Sequence, residues 1–106
     1  MNSHTRKLLE DARNKKFDDV LVDLDYEDID INASDKYGWT LLHHASRHNQ
    51  ISIIIKVLEN FDVNINAQTI NSAPPLHYAT FHHHHDCIKL LLDHKDIKVN
   101  LQDERG

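Results

Sequence analysis

One cysteine, two glycines and two prolines in 106 residues exclude several ways of building or using a small protein. Cys87 has no partner for an internal disulfide and no CxxC pair exists to hold zinc, so neither staple of small secreted folds is available. Stability must come from packing, for which a hydrophobic fraction of 40% is adequate in one small domain or a short repeat array. The glycines are Gly38 and Gly106, so no glycine-rich loop can cradle a phosphate, and neither HExxH nor GxSxG occurs. No apolar run approaches the roughly 20 residues that cross a bilayer. The opening MNSHTRKLLED lacks the apolar core of a signal peptide. A cytoplasmic protein is expected, with export by a signal elsewhere left open.

Basic charge is also in short supply. A formal net charge of -5 with the histidines neutral argues against broad attraction to nucleic acid or anionic lipid. Ten histidines qualify this, because imidazoles ordinarily titrate between about pH 5 and 8. Acidification can therefore reverse the sign of the chain.

What the chain does contain is a repeat. Asp62-Val63-Asn64-Ile65-Asn66 has close copies 34 residues to either side, at Asp28 to Asn32 and at Asp96 to Asn100. Each opens on an acidic residue, carries apolar residues second and fourth, and closes on Asn. A fixed period of this size signals stacked supersecondary units.

Between the copies the apolar spacing is helical. Leu8, Leu9, Ala12, Phe17, Val20, Leu21 and Leu24 predict two short amphipathic helices between Arg6 and Leu24, with a turn at Asn14 to Lys16. Thr40 offers a helix N-cap ahead of Leu41, Leu42, Ala45 and Ser46; Asn49 suits a left-handed helix end, and a helix over 52–59 follows. Pro74-Pro75 starts the third pair, His82 to His85 fall in its break, and the last helix is predicted over 86–94. The stretch from Asp25 to Gly38, and its copy from Phe61, alternate polar and apolar side chains and predict extended segments entering turns.

Laid over each other, GWTLLHHAS (Gly38 to Ser46) and SAPPLHYAT (Ser72 to Thr80) share Leu-His-x-Ala. With Asp35-Lys36-Tyr37-Gly38-Trp39-Thr40 as a turn finger, this resembles the ankyrin repeat, whose signature at the first helix is T-P-L-H-x-A. The resemblance implies an all-α solenoid of helix-turn-helix units with β-turn fingers. It implies an N-terminal capping unit at 4–32, full repeats at 33–66 and 67–100, and the start of another at 101–106. Since an array does not normally stop in mid-finger without a cap, a fragment of a longer protein is expected. The tetratricopeptide, of similar period, is disfavoured because its helices fill almost the whole unit. Departures from the pattern are Leu41 where proline is preferred, Ser72 in place of Gly38, and Asn49 and His83 in place of a helix-breaking glycine. The second finger is expected to be the less regular.

The resemblance implies a non-enzymatic module that binds a protein partner through its concave face, with no cofactor. Its variable finger positions are Lys36, Tyr37, Trp39, Ile70, Asn71 and Ala73, and its exposed first-helix positions are Arg47, His48, Phe81 and His82. No nucleic acid and no membrane are expected as partners, and the state is a monomer or a weak self-associate through the C-terminal end. Two alternatives stay open: a metal- or pH-responsive module using the histidines, and a scaffold segment of a larger enzyme. Four consecutive histidines on one turn project in different directions, which disfavours a metal site. Cys87 is expected to be a packed thiol, His43 and His77 to bridge neighbouring fingers, and the acidic residues from Asp18 to Asp30 to form a solvated face.

Overall fold

The computed structural model describes residues 1–99. The unit expected at 101–106, and Asn100, lie outside the described residues. Six helices follow in order: α1 (Ser3–Arg13), α2 (Phe17–Asp23), α3 (Leu41–Arg47), α4 (Ile51–Leu58), α5 (Pro75–Phe81) and α6 (His85–Leu92). Helices of seven or eight residues are marginal in water, so each depends on the neighbours that cover its apolar stripe. The first helices pack in the series α1, α3, α5 and the second helices in the series α2, α4, α6, while each pair also packs internally. Leu8, Leu41, Leu42, Ile53, Ile54, Ile65 and Leu91 fill the space between the two layers. Burying each such side chain is worth about 1.5–3 kcal/mol.

The backbone repeats even where the residues do not. Lys15, Asn49 and His83 all take left-handed dihedrals, with φ of 62°, 55° and 59°. At each turn the following amide closes the same bond to the first helix: Lys16 N–H to the Asp11 carbonyl, Gln50 to Ala45, and His84 to Ala79. The turn is forced by the reversal of direction between paired helices, and the side chain merely tolerates it at a cost of about 1 kcal/mol.

The third break is narrower than expected: His85 already belongs to α6, and only His82 to His84 stand outside the helices. The same helix ends at Leu92 and not at His94, because His94 N–H turns back to the Leu91 carbonyl.

The stretches that close each unit are turns, not strands. Among the described residues the one ladder contact is an isolated antiparallel bridge between Ser34 and Thr40. The alternation is real but serves a different purpose: Ile31, Val63 and Ile65 point inward while the Asn side chains tie successive units together. Asn32 Nδ2 donates to the Asp62 carbonyl (2.8 Å) and its Oδ1 accepts the Asn64 N–H (2.7 Å). Asn66 does the same for the Asp96 carbonyl (2.7 Å) and the Lys98 N–H (2.9 Å). At the first unit two side chains share the task, Asn2 donating to the Asp28 carbonyl (2.6 Å) and Thr5 Oγ1 accepting the Asp30 N–H (3.0 Å).

The acidic cap departs from a uniform solvated face. Asp18, Asp19, Asp25, Glu27, Asp28 and Asp30 are exposed, whereas Asp23 is buried against α1. Lys7 Nζ bridges Asp11 (2.7 Å) and Asp23 (3.1 Å). Burial, and then the neighbouring Asp11 carboxyl, raise the pKa of Asp23, while Asp11 is lowered. Asp23 Oδ2 is buried without a hydrogen-bond partner, so the contact with Lys7 satisfies only one of its two oxygens.

Candidate partner-binding surface

The two fingers stand at the N-termini of α3 and α5. In the first, the Asp35 carboxylate accepts the Tyr37 N–H (2.9 Å) and the Trp39 N–H (3.1 Å), Asp35 N–H bonds the Trp39 carbonyl, and Gly38 N–H bonds the Asp35 carbonyl. Gly38 has φ of 78°, and a Cβ there would stand 3.0 Å from Thr69 Cα and 3.1 Å from Ile70 N. The turn favours glycine, and the close approach of the second finger requires it. That approach is fixed by one bond, Ile70 N–H to the Tyr37 carbonyl (3.0 Å). In the second finger the backbone bonds recur, Thr69 N–H to Ala73 and Ser72 N–H to Thr69, and Ser72 carries φ of 62°. Its backbone is as regular as the first; what is weaker is side-chain support, since Thr69 Oγ1 accepts one backbone amide, the Asn71 N–H at 3.3 Å, beside a 3.2 Å hydrogen bond with the Tyr78 hydroxyl.

Behind the fingers, His43 is fully buried and satisfied on both nitrogens. Its Nδ1 accepts the Thr40 N–H (3.0 Å) and Nε2 pairs with the Ala73 carbonyl (3.0 Å), which assigns the proton to Nε2. Burial pushes its pKa down to about 4, because a second proton would also confront the Thr40 N–H. His44 is lowered by burial too, despite Asp35 at 3.4 Å. His43 is thus a bridge between fingers.

The expected surface residues divide by exposure. Ile70 and Phe81 are 65% and 64% exposed and Tyr37 48%, with Lys36 Nζ lying 5.2 Å from the Tyr37 ring centroid. Lys36, Asn71, Arg47 and His82 are also exposed. Trp39 is half-buried: its ring meets Tyr78 at 4.3 Å and His44 at 5.0 Å, with the Arg47 guanidinium 5.8 Å away. His48 is half-buried against Phe17 of α2. Ala73 does not reach the surface at 2% exposure, and contributes the carbonyl that His43 binds. Tyr78 is the residue that sequence reasoning missed. It stands 34 residues after His44, so Trp39 lies between the same position of two successive first helices. A groove of about 300 Å³ lined by Leu76, His77, Phe81 and Val99 continues the face beyond α5.

A family model described as ankyrin repeats in three copies matches residues 8–103. The chain belongs to the ankyrin repeat family. The six helices and the paired turns are the architecture expected of it. Ankyrin repeats are generally protein–protein interaction modules, and domains built from them are typically non-catalytic. A search of curated proteins gives no match to this chain. Among the described residues of this ankyrin array, no helix is long and apolar enough to cross a membrane, and no group of three His, Cys, Asp or Glu converges as metal ligands. Cys87 is buried beside Ser46, and burial raises its thiol pKa, the opposite of what a nucleophile needs.

Proposed function

We propose that the array binds a cytoplasmic protein partner, without chemistry of its own, through the face formed by the finger tips and the exposed side of the first helices. The observation that carries this reading is the exposure of Tyr37, Ile70 and Phe81 on a rigid frame. Large apolar side chains on finger tips joined by the Tyr37–Ile70 backbone bond lose little entropy on contact. Ile70 and Phe81 supply apolar anchors, and Lys36, Arg47, Asn71 and His82 supply a polar rim. Trp39 and His48 are half-buried and belong to the frame, Trp39 by its contact with Tyr78 and His48 by its contact with Phe17.

The test is a pull-down with the Ile70→Ser/Phe81→Ser double variant, its fold checked by far-UV circular dichroism. A partner retained by the parent protein should be lost by the variant. Undiminished recovery by a folded variant would sink the proposal. Trp39→Ala is the less informative substitution, because it also removes packing between α3 and α5.

A further inference from the structure

The turns between paired helices form an edge of their own. α3 and α5 each begin at a finger and end at such a turn, so this edge lies at the far end of the first helices from the finger tips. It carries Arg13, Lys15 and Lys16 at the first turn, Arg47 and His48 at the second, and His82 to His85 at the third. The turns touch one another. His48 packs on Phe17 with ring centroids 5.6 Å apart and His84 Nε2 pairs with the Arg47 carbonyl at 2.8 Å, while within the third turn His82 and His84 stack at 5.8 Å. His82, His83 and His85 are exposed.

We propose that this edge is a docking surface for an acidic polypeptide segment and that its affinity rises as the histidines take up protons. Four permanent cations, Arg13, Lys15, Lys16 and Arg47, are offset by three carboxylates, Asp18 and Asp19 in the first turn of α2 and Asp86 in that of α6. Protonation of His48, His82, His83, His84 and His85 adds up to five further charges. His48 is held below its ordinary pKa by burial first and then by the positive charges of Arg47 and Lys15. An incoming carboxylate reverses that repulsion, so binding and proton uptake favour each other.

A polypeptide fits this edge better than a lipid surface. Asp18, Asp19 and Asp86 interrupt the positive row, and a single strand can thread between them where a continuous anionic plane cannot. Screening over a Debye length of about 8 Å weakens the repulsion of a bound strand by the more distant carboxylates of this net-acidic chain. An extended segment of roughly ten residues spans about 33–36 Å, enough for an array whose longest extent is 36 Å.

The experiment is fluorescence anisotropy with a labelled Asp-Ser repeat peptide of roughly ten residues at about pH 6 and pH 8. Binding should be about tenfold tighter at the lower pH, and should fade as the salt approaches roughly 0.3 M. In the variant His82→Gln/His83→Asn/His85→Gln, where Asn suits the left-handed backbone, the gain at low pH should fall below about threefold. Lys15→Asn/Lys16→Gln should weaken binding at both pH values while keeping their ratio. Ile70→Ser should change neither, which separates this edge from the finger tips, although Arg47 and His82 border both surfaces. The proposal is overturned by pH-independent binding, or by a full pH gain in the folded histidine variant. Capture by phosphatidylserine vesicles without peptide binding, or self-association at about pH 6 in place of it, overturns it as well.

Discussion

The two fingers fold to the same backbone with different side chains. In the first, Asp35 gathers two amides, Gly38 makes the left-handed turn, and Thr40 and His43 form a reciprocal capping box. In the second, Thr69 gathers one amide, Ser72 makes the turn, and Pro74, with neither N–H nor hydroxyl, stands at the cap. Stacking dictates the backbone and leaves the side chains several ways to support it, with one exception. Gly38 must also admit the finger that follows.

The largest break in the comparison is therefore to give the first finger the second's residue. Gly38→Ser should cost about 3 kcal/mol by urea unfolding, from the left-handed backbone and a Cβ pressed onto Thr69. Ser72→Gly should stay within about 0.5 kcal/mol, because relief of the positive φ is offset by a freer unfolded chain.

Acid should separate the first unit next. His43 is depressed to about 4 in the fold, so its contribution is complete above its unfolded value near 6.5 and is lost as pH falls toward 4. The loss approaches about 3 kcal/mol. Urea unfolding of the parent and of His43→Gln between those limits should show a shallower pH dependence in the variant, and parallel curves would refute the assignment.

Smaller effects test the likeness of the units. Asn32→Ala and Asn66→Ala each remove two inter-unit hydrogen bonds and should each cost about 1–2 kcal/mol. A clear inequality in thermal denaturation would show that the units are not held alike. Least of all, Ile70→Ser and Phe81→Ser should shift stability by no more than about 0.5 kcal/mol, since both side chains are exposed.

Much of this was legible in the residues. Period, helix pairing and the turns at Asn14 to Lys16, Asn49 and His83 follow from apolar spacing and from which side chains tolerate left-handed backbone. The purpose of the closing Asn was not legible, because each bonds to backbone 30 and 32 residues away. Nor was the burial of Asp23, since an acidic run gives no local sign that Lys7, sixteen residues earlier, will reach one of its members. Trp39 was singled out as a contact residue. Its partner Tyr78 emerges only when His44 is set beside its counterpart in the next unit.

The asparagine ladder has a consequence for how such a chain can change length. Asn32 presents a donor and an acceptor to the Asp62 carbonyl and the Asn64 amide, and Asn66 presents the same pair to Asp96 and Lys98. Excising residues 33–66 would bring Asn32 to the Asp96 carbonyl and the Lys98 amide in unchanged register. A cut that is not a whole number of units would move Val63 and Ile65 out of the buried positions they hold beside the ladder. The array can thus be shortened or extended by whole units, with the ladder acting as its ruler.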